Sequence, residues 1–229
     1  MAEILVVDDE RTLRESLGKV LAGEGHAVRT AHDGEEALRL VSEKRPDLVL
    51  LDVLMPKLNG FRTCEEIRKT DALLPVIFLT AKDSEADQVR GMGLGADDYV
   101  SKDASDAVLL ARIGRALERS ARIGATLAEG GAETIRLGTV TVDAKRLVVR
   151  EADREIARLT PTEAGVLKLL DSARGRPFST DEIIAALRGE GFACEDALVY
   201  MHVSNLRRKL GVAAAMVASA RGVGYSLVK

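Results

Sequence analysis

Leu48-Val-Leu-Leu-Asp52 is an apolar run without a polar break that ends on a carboxylate. A strand with one wet face alternates apolar and polar residues. A run without alternation reads as a strand covered on both faces, which is the habit of parallel sheets. Working outward, Ile4–Val7 is a second such run and leads into Asp8-Asp9, while Pro75–Thr80 is a third and ends on a hydroxyl. Strands are thus predicted over Ile4–Val7, Ala27–Thr30, Leu48–Val53, Pro75–Thr80 and Asp98–Val100. Helices are predicted over Thr12–Ala22, Glu35–Glu43, Gly60–Lys69, Glu85–Met92 and Ser105–Arg119. Five β-then-α units of this length specify an α/β doubly wound open sheet, with ligands in the crevice beyond the carboxyl ends of the strands.

Chemistry gathers at that crevice. Asp8 and Asp9 follow the first strand and Asp52 lies near the end of the third, and these strands are neighbours in such a sheet. Three converging carboxylates need a cation to stay ionised cheaply, and an all-oxygen set suits Mg²⁺. Thr80 ends the fourth strand and Lys102 follows the fifth, so a hydroxyl and an ammonium stand where a phosphoryl group would want donors. Gly91-Met-Gly-Leu-Gly95 lies between a helix and a strand, the wrong context for a dinucleotide loop, and reads as a helix end and turn. His26 and His32 flank a strand and read as surface or packing residues.

The pattern changes after residue 121. Residues 122–132, with Gly124, Gly130 and Gly131, read as a flexible linker between a domain at 1–121 and another at 133–229. Ile135–Val142 and Leu147–Val149 alternate as strands. Thr160-Pro-Thr-Glu163 carries an N-cap, a first-turn proline and the acid of a capping box, and Ser179-Thr-Asp-Glu182 repeats the device. A third helix runs from about Asp196 to Leu210 and stops at Gly211, and Val217–Val228 reads as a hairpin turning near Arg221-Gly-Val-Gly224. Strands, three helices and a terminal hairpin make a winged helix-turn-helix. In the third helix Val199, Val203, Leu206 and Leu210 form the core stripe. Met201, Asn205 and Arg208 lie opposite, flanked by Tyr200, Ser204 and Arg207, a face suited to a major groove. Arg221 at the wing tip would reach the minor groove or backbone.

Bulk properties agree with this division. The 229 residues are 46% apolar and 30% charged, with a net charge of −3. Residues 1–121 hold 17 Lys/Arg against 23 Asp/Glu, a balance of −6, while residues 133–229 hold 15 against 12, a balance of +3. An acidic half joined to a mildly basic one suggests nucleic acid as the partner of the second. No apolar run approaches the roughly 20 residues that cross a bilayer, and the first residues do not resemble a signal peptide. A cytoplasmic protein without a membrane partner is expected. Cys64 and Cys194 lie in different halves and read as plain thiols.

Asp8-Asp9, Asp52-Val-Leu-Met-Pro56 with Gly60, Thr80-Ala81, Gly95-Ala-Asp-Asp-Tyr99 and Lys102 together resemble the receiver domain of response regulators, over residues 3–119. Leu159-Thr-Pro-Thr-Glu163, His202-Val-Ser-Asn-Leu-Arg-Arg-Lys-Leu210 and Arg221-Gly-Val-Gly-Tyr225 resemble the output domain of OmpR/PhoB-type regulators. The resemblance implies a flavodoxin-like sheet of strand order 2-1-3-4-5 and a phosphoryl group taken by Asp52 from a sensor histidine kinase. It implies Mg²⁺ held by Asp9, Asp52 and the Leu54 backbone carbonyl, with Asp8 helping through water. Thr80 and Lys102 would grip the phosphoryl oxygens, and Tyr99 would turn inward as the switch. In promoter DNA, His202 and Arg207 would meet phosphates, and Ser204 and Asn205 would meet base edges. A homodimer is implied through the helix after the fourth strand, the fifth strand and the helix after it, with Arg90, Asp97, Asp98, Arg112 and Arg119 as candidate ion-pair residues.

Three departures from the family stand out. Asp103 replaces the proline that usually follows the pocket lysine, which is joined there by a cis peptide. A cis bond before another residue costs about 2.5–4 kcal/mol, so the loop is expected either to be trans and place Lys102 differently or to accept strain, with phosphorylation slower or less tightly coupled. The third helix lacks the usual basic residues at Ser204 and Asn205, an Arg near Ala197 and an Asp at Tyr200, which predicts weaker non-specific affinity and a shallow salt slope. Val108 stands where the family generally has an acid. The rival readings are a DNA-binding regulator indifferent to phosphorylation, a phosphatase-like enzyme with Asp52 as nucleophile, and an output half that binds protein. Val, Leu and Met at 53–55 supply no general acid for the enzyme reading.

Overall fold

The computed structural model describes residues 1–80, 96–128, 133–189 and 196–228, and the side chains of all but 126–128 and 196–198. The expected helix at Glu85–Met92, Ala81, the Gly91–Gly95 stretch, Arg90 and Cys194 lie outside the described residues. The chain divides into two compact units, Met1–Ser120 and Ala121–Lys229.

In the first unit β1 (Glu3–Val7), β2 (Ala27–Ala31), β3 (Leu48–Asp52), β4 (Val76–Thr80) and β5 (Asp98–Ser101) form one parallel sheet. Its order is β2-β1-β3-β4-β5, as the resemblance implied. Both faces of the central strands are covered, and every residue of β3 and β4 is buried. One face, with Ile4, Val6, Leu48, Leu50, Ile77 and Leu79, packs against Leu17 and Leu21 of α1 (Arg11–Gly23) and Leu109 and Ile113 of α4 (Asp106–Ala128). On the other, Phe78 meets Phe61 edge to face at 5.4 Å, placing α3 (Gly60–Thr70) there beside α2 (Gly34–Glu43). Asp33 caps α2 by accepting from Glu36 N at 2.9 Å, and Asn59 caps α3 by accepting from Arg62 N at 3.0 Å. Gly60 is required by close approach, since a Cβ there would lie 2.0 Å from the Asp52 carbonyl oxygen. That contact lets α3 begin directly beyond the end of β3.

Helix α4 departs from expectation by running to Ala128, so residues 122–128 are helix and not flexible linker. Ala, Leu and Arg favour helix strongly enough to carry Gly124, whose cost is about 1 kcal/mol.

The second unit opens with an antiparallel sheet, β6 (Thr134–Leu137), β7 (Val140–Asp143), β8 (Val148–Glu151) and β9 (Arg154–Arg158), in sequential order. Ile135–Val142 is therefore a hairpin and not one strand. Strand β9 was not foreseen at all. It is an edge strand, mostly exposed, and the turn before it is made by Ala152 and Asp153 at φ 47 and 66, without the Asn-Gly or Asp-Gly signature that marks such turns. Helices α5 (Pro161–Ser172), α6 (Thr180–Gly189) and α7 (Asp196–Leu210) follow. The Thr160–Glu163 capping box forms in both directions, and Ser179 and Glu182 do the same at α6. Gly211 takes φ 56 where α7 ends, a left-handed position that glycine fills without a Cβ penalty. The hairpin β10 (Val217–Ala220) and β11 (Gly224–Leu227) closes the unit. It is joined to the loop before α6 by paired bonds between Phe178 and Tyr225. No helix among the described residues is long and apolar enough to cross a membrane.

Candidate functional site

The crevice forms where parallel strands end together. Ligand oxygens of Asp8, Asp9 and Asp52 lie within 4.8 Å of one another. Asp8 and Asp52 are buried and Asp9 is exposed. Lys102 reaches between the two buried acids, with Nζ 2.8 Å from Asp8 Oδ2 and 3.0 Å from Asp52 Oδ2. Burial pushes the Asp52 carboxyl above its ordinary pKa, opposed by Lys102 and reinforced by the charge of Asp8. For Lys102, burial works against the ammonium, but its bonds to Asp8 and Asp52 outweigh it and raise its pKa.

All described peptide bonds are trans, the first of the two arrangements expected at Lys102-Asp103. Lys102 N donates to the Thr80 carbonyl at 2.8 Å, continuing the β4–β5 ladder one residue past the sheet. That bond holds the lysine at the pocket without a proline. Asp103 is exposed, and its N–H donates to Ser101 Oγ.

The set fits a hard divalent cation: three acids face one ammonium, and all the donors are oxygen. The Thr80 hydroxyl is buried and finds no hydrogen-bond partner among the described residues, a costly arrangement unless something accepts from it. Leu54, two residues beyond Asp52, is exposed. Lys57, at φ 62, bonds Asp33, fastening the loop after Asp52 to the start of α2. Tyr99 is half-buried, with the Arg112 guanidinium 5.9 Å from its ring centre.

Of the residues assigned to a dimer face, the four that are described, Asp97, Asp98, Arg112 and Arg119, are paired within the subunit. Asp97 is buried and receives Arg119 Nη2 at 2.9 Å on one oxygen, with Arg68 Nη2 at 2.8 Å and Val76 N at 2.9 Å on the other. Arg119 is itself buried. Asp98 receives Arg112 at 2.7 Å, and burial raises the Asp98 pKa against that pull. Arg68, which local pattern placed at an ordinary helix end, is the residue the sequence reading missed.

In the second unit Val199, Val203, Leu206 and Leu210 are fully buried, as their spacing requires. Two expectations fail beside them. His202 is 1% exposed and Asn205 5% exposed, so neither faces a groove, and Asn205 accepts from Arg208. The buried arc of α7 is wider than its apolar stripe because α5, α6, β9 and the turn after Leu210 pack around it. Arg207 is half-buried and anchored to the hairpin, donating to the Val217 carbonyl and Ser219 Oγ at 2.8 Å each. Lys209 bonds the buried Glu163 at 2.7 Å across 46 residues. The exposed side carries Tyr200, Ser204 and Arg208, and Arg221 is exposed between the hairpin strands.

The model of the response regulator receiver domain matches residues 4–114, and that of the transcriptional regulatory protein C terminal matches residues 153–227. The chain is 40% identical to the probable transcriptional regulator ycf27 of Guillardia theta, over 97% of this chain and 89% of that protein. It is 38% identical to the response regulator MprA of Mycobacterium bovis, over 98% of this chain and 96% of that one. Among solved structures a single-residue mutant of RitR matches with a TM-score of 0.79 over 100% of both chains at 22% identity, a likeness of fold alone.

Proposed function

This chain belongs to the OmpR/PhoB-type response regulators, transcriptional regulators with a receiver and a DNA-binding domain, and from that premise we propose that Asp52 accepts a phosphoryl group from a sensor histidine kinase. The carrying observation is Lys102 standing between Asp8 and Asp52, beside a buried hydroxyl that has no hydrogen-bond partner among the described residues. An Asp52 carboxylate oxygen attacks the phosphorus of a phosphohistidine. The P–N bond breaks, the imidazole keeps the electron pair and takes a proton from water, and an acyl phosphate remains. Asp8, Asp9, Asp52 and the Leu54 carbonyl would hold Mg²⁺, whose charge would offset that gathered on the acids and the phosphoryl oxygens. Lys102 turns from the carboxylates to a phosphoryl oxygen, and Thr80 donates its proton to another. Tyr99 then follows Thr80 inward, giving up its contact with Arg112.

The output unit binds double-stranded promoter DNA through the exposed stripe of α7. Ser204 and Arg208 face the major groove, Arg207 stands beside the backbone and Arg221 serves as the wing contact. Two subunits pair through the β5–α4 face of their receivers to present two output units to half-sites about one helical turn apart. Asp97 and Arg119 stay inside each subunit, so the pairing recruits exposed groups of that face such as Val108. Sedimentation with and without a phosphoryl mimic tests this, and a monomer in both states would refute it.

The central test is Mg²⁺-dependent labelling of the full chain by a small phosphodonor, followed by selection of bound duplexes from a random pool. Labelling is expected in the wild type and absent in Asp52→Asn. Because Lys102 already reaches both acids, Asp103→Pro is expected to alter the labelling rate less than about twofold. A tenfold gain would instead favour the alternative of a weakly coupled switch, in which DNA binding hardly depends on phosphorylation.

A further inference from the structure

Helix α7 shows an uncommon feature on the side turned away from the core. Tyr200 is 63% exposed, the one exposed aromatic side chain among the described residues, and Val199 beside it is fully buried. With Ser204 and Arg208 it forms a stripe at i, i+4 and i+8, which a helix confines to one side. Tyr200 is the fifth residue of α7. In a helix-turn-helix the N-terminal residues of the second helix meet base edges, while later turns drift toward the backbone. His202 and Asn205, the other polar residues of these turns, are withdrawn into the fold. Among the described side chains of this stripe the surface left to read bases is therefore an aromatic ring, a hydroxyl and a guanidinium.

We infer that Tyr200 is a specificity-determining residue that reads thymine, its ring packing against the C5-methyl group in the major groove. The inference rests on the DNA-binding reading and adds the base that the domain selects. Thymine alone of the four bases presents a methyl group in that groove. An exposed ring gains by covering it, because burying one methyl-sized group is worth about 0.8 kcal/mol, which is about fourfold in affinity. Ser204 one turn on is short enough to let the ring approach, and Arg208 a further turn on can hold a guanine or phosphate and fix the register. The chemistry implied for each half-site is thus a thymine contact followed along the groove by a guanine or backbone contact.

The test uses the full-length chain and duplexes selected by it from a random pool. Each thymine of a selected duplex is replaced singly by deoxyuridine, which removes only the methyl group, and affinity is measured at fixed salt. One thymine per half-site is expected to lose about fourfold on replacement with the wild type and with Tyr200→Phe. The same replacement is expected to have no effect with Tyr200→Ala. Arg208→Ala, which weakens binding without touching the ring, is expected to keep the deoxyuridine penalty, separating loss of methyl reading from general damage to α7. If no thymine shows the penalty, or if Tyr200→Ala keeps it, the inference is overturned while DNA binding stands. If the wild type selects no sequence, the DNA-binding reading itself falls and takes the inference with it.

Discussion

At the carboxyl edge of the five-stranded sheet one ammonium, Lys102, stands between two buried carboxylates, Asp8 and Asp52. At the amino edge two guanidinia, Arg68 and Arg119, close on the single carboxylate of Asp97. The two clusters occupy the same unit and bury their acids alike, yet they are balanced in opposite senses. Asp97 has partners on both oxygens, a backbone N–H included, and Arg68 also donates to the Leu74 carbonyl at 2.7 Å. Nothing there awaits a ligand. The Lys102 cluster carries surplus negative charge, an exposed third acid and a hydroxyl without a hydrogen-bond partner among the described residues. A satisfied cluster fixes structure, and an unsatisfied one is held ready for cation and phosphoryl group.

The largest effect that would sharpen this contrast is expected from Asp97→Ala. Removing one partner from a buried ionic group typically costs about 3–5 kcal/mol, and here it takes the shared carboxylate from two guanidinia. Urea unfolding of the full chain should show the receiver transition lost or moved to much lower denaturant. A change under about 1 kcal/mol, the range of an exposed pair, would mean that the amino-edge cluster is not the fixed element described. Lys102→Met comes next. It leaves Asp8 and Asp52 without their shared cation, so stability in metal-free buffer should fall at neutral pH and recover on acidification through the raised Asp52 pKa.

Asp52→Asn should act in the opposite direction to Asp97→Ala. Burial raises the Asp52 pKa in the fold, so the unfolded chain releases that proton first. Raising pH from the unfolded value through the folded value therefore costs the wild type stability, and the cost is complete above the folded pKa. In metal-free buffer the variant should be more stable at neutral pH by about 1 kcal/mol, with the advantage shrinking on acidification through that window. Equal stability at neutral pH would place Asp52 with the satisfied acids and break the comparison. The smallest effect is expected in the other unit, where Thr160→Ala loses the cap of α5 at about 1 kcal/mol or less. It should move the output transition and leave the receiver transition in place.

Much of this was legible in the residues because the signals are local. Unbroken apolar runs at Ile4–Val7, Leu48–Leu51 and Val76–Leu79 announce covered parallel strands, and the acids after the first two identify the crevice. Thr160 with Glu163, Ser179 with Glu182, and Gly211 after Leu210 act within four residues of themselves, so their geometry follows from their order. Strand β9 escaped notice because an exposed edge strand has no core face to impose alternation. Helix α4 overran its expected end because the helix formers after Arg119 outweigh Gly124.

By itself, then, the sequence determined the alternation of elements, their caps and the meeting of Asp8, Asp9, Asp52, Thr80 and Lys102 at one edge of the sheet. Strand direction and order suffice to bring those residues together. Only the tertiary structure decided which polar groups were already spent. Arg68, Asp97 and Arg119 find one another across 29 and 22 residues, Lys209 finds Glu163 across 46, and His202 and Asn205 sink beside an apolar stripe that does not include them. The physical reason is that a helix period fixes which residues share a face, while the neighbours packed around the helix fix how wide that face is. Tyr200, Ser204 and Arg208 remain outside because nothing among the described residues of the second unit covers them.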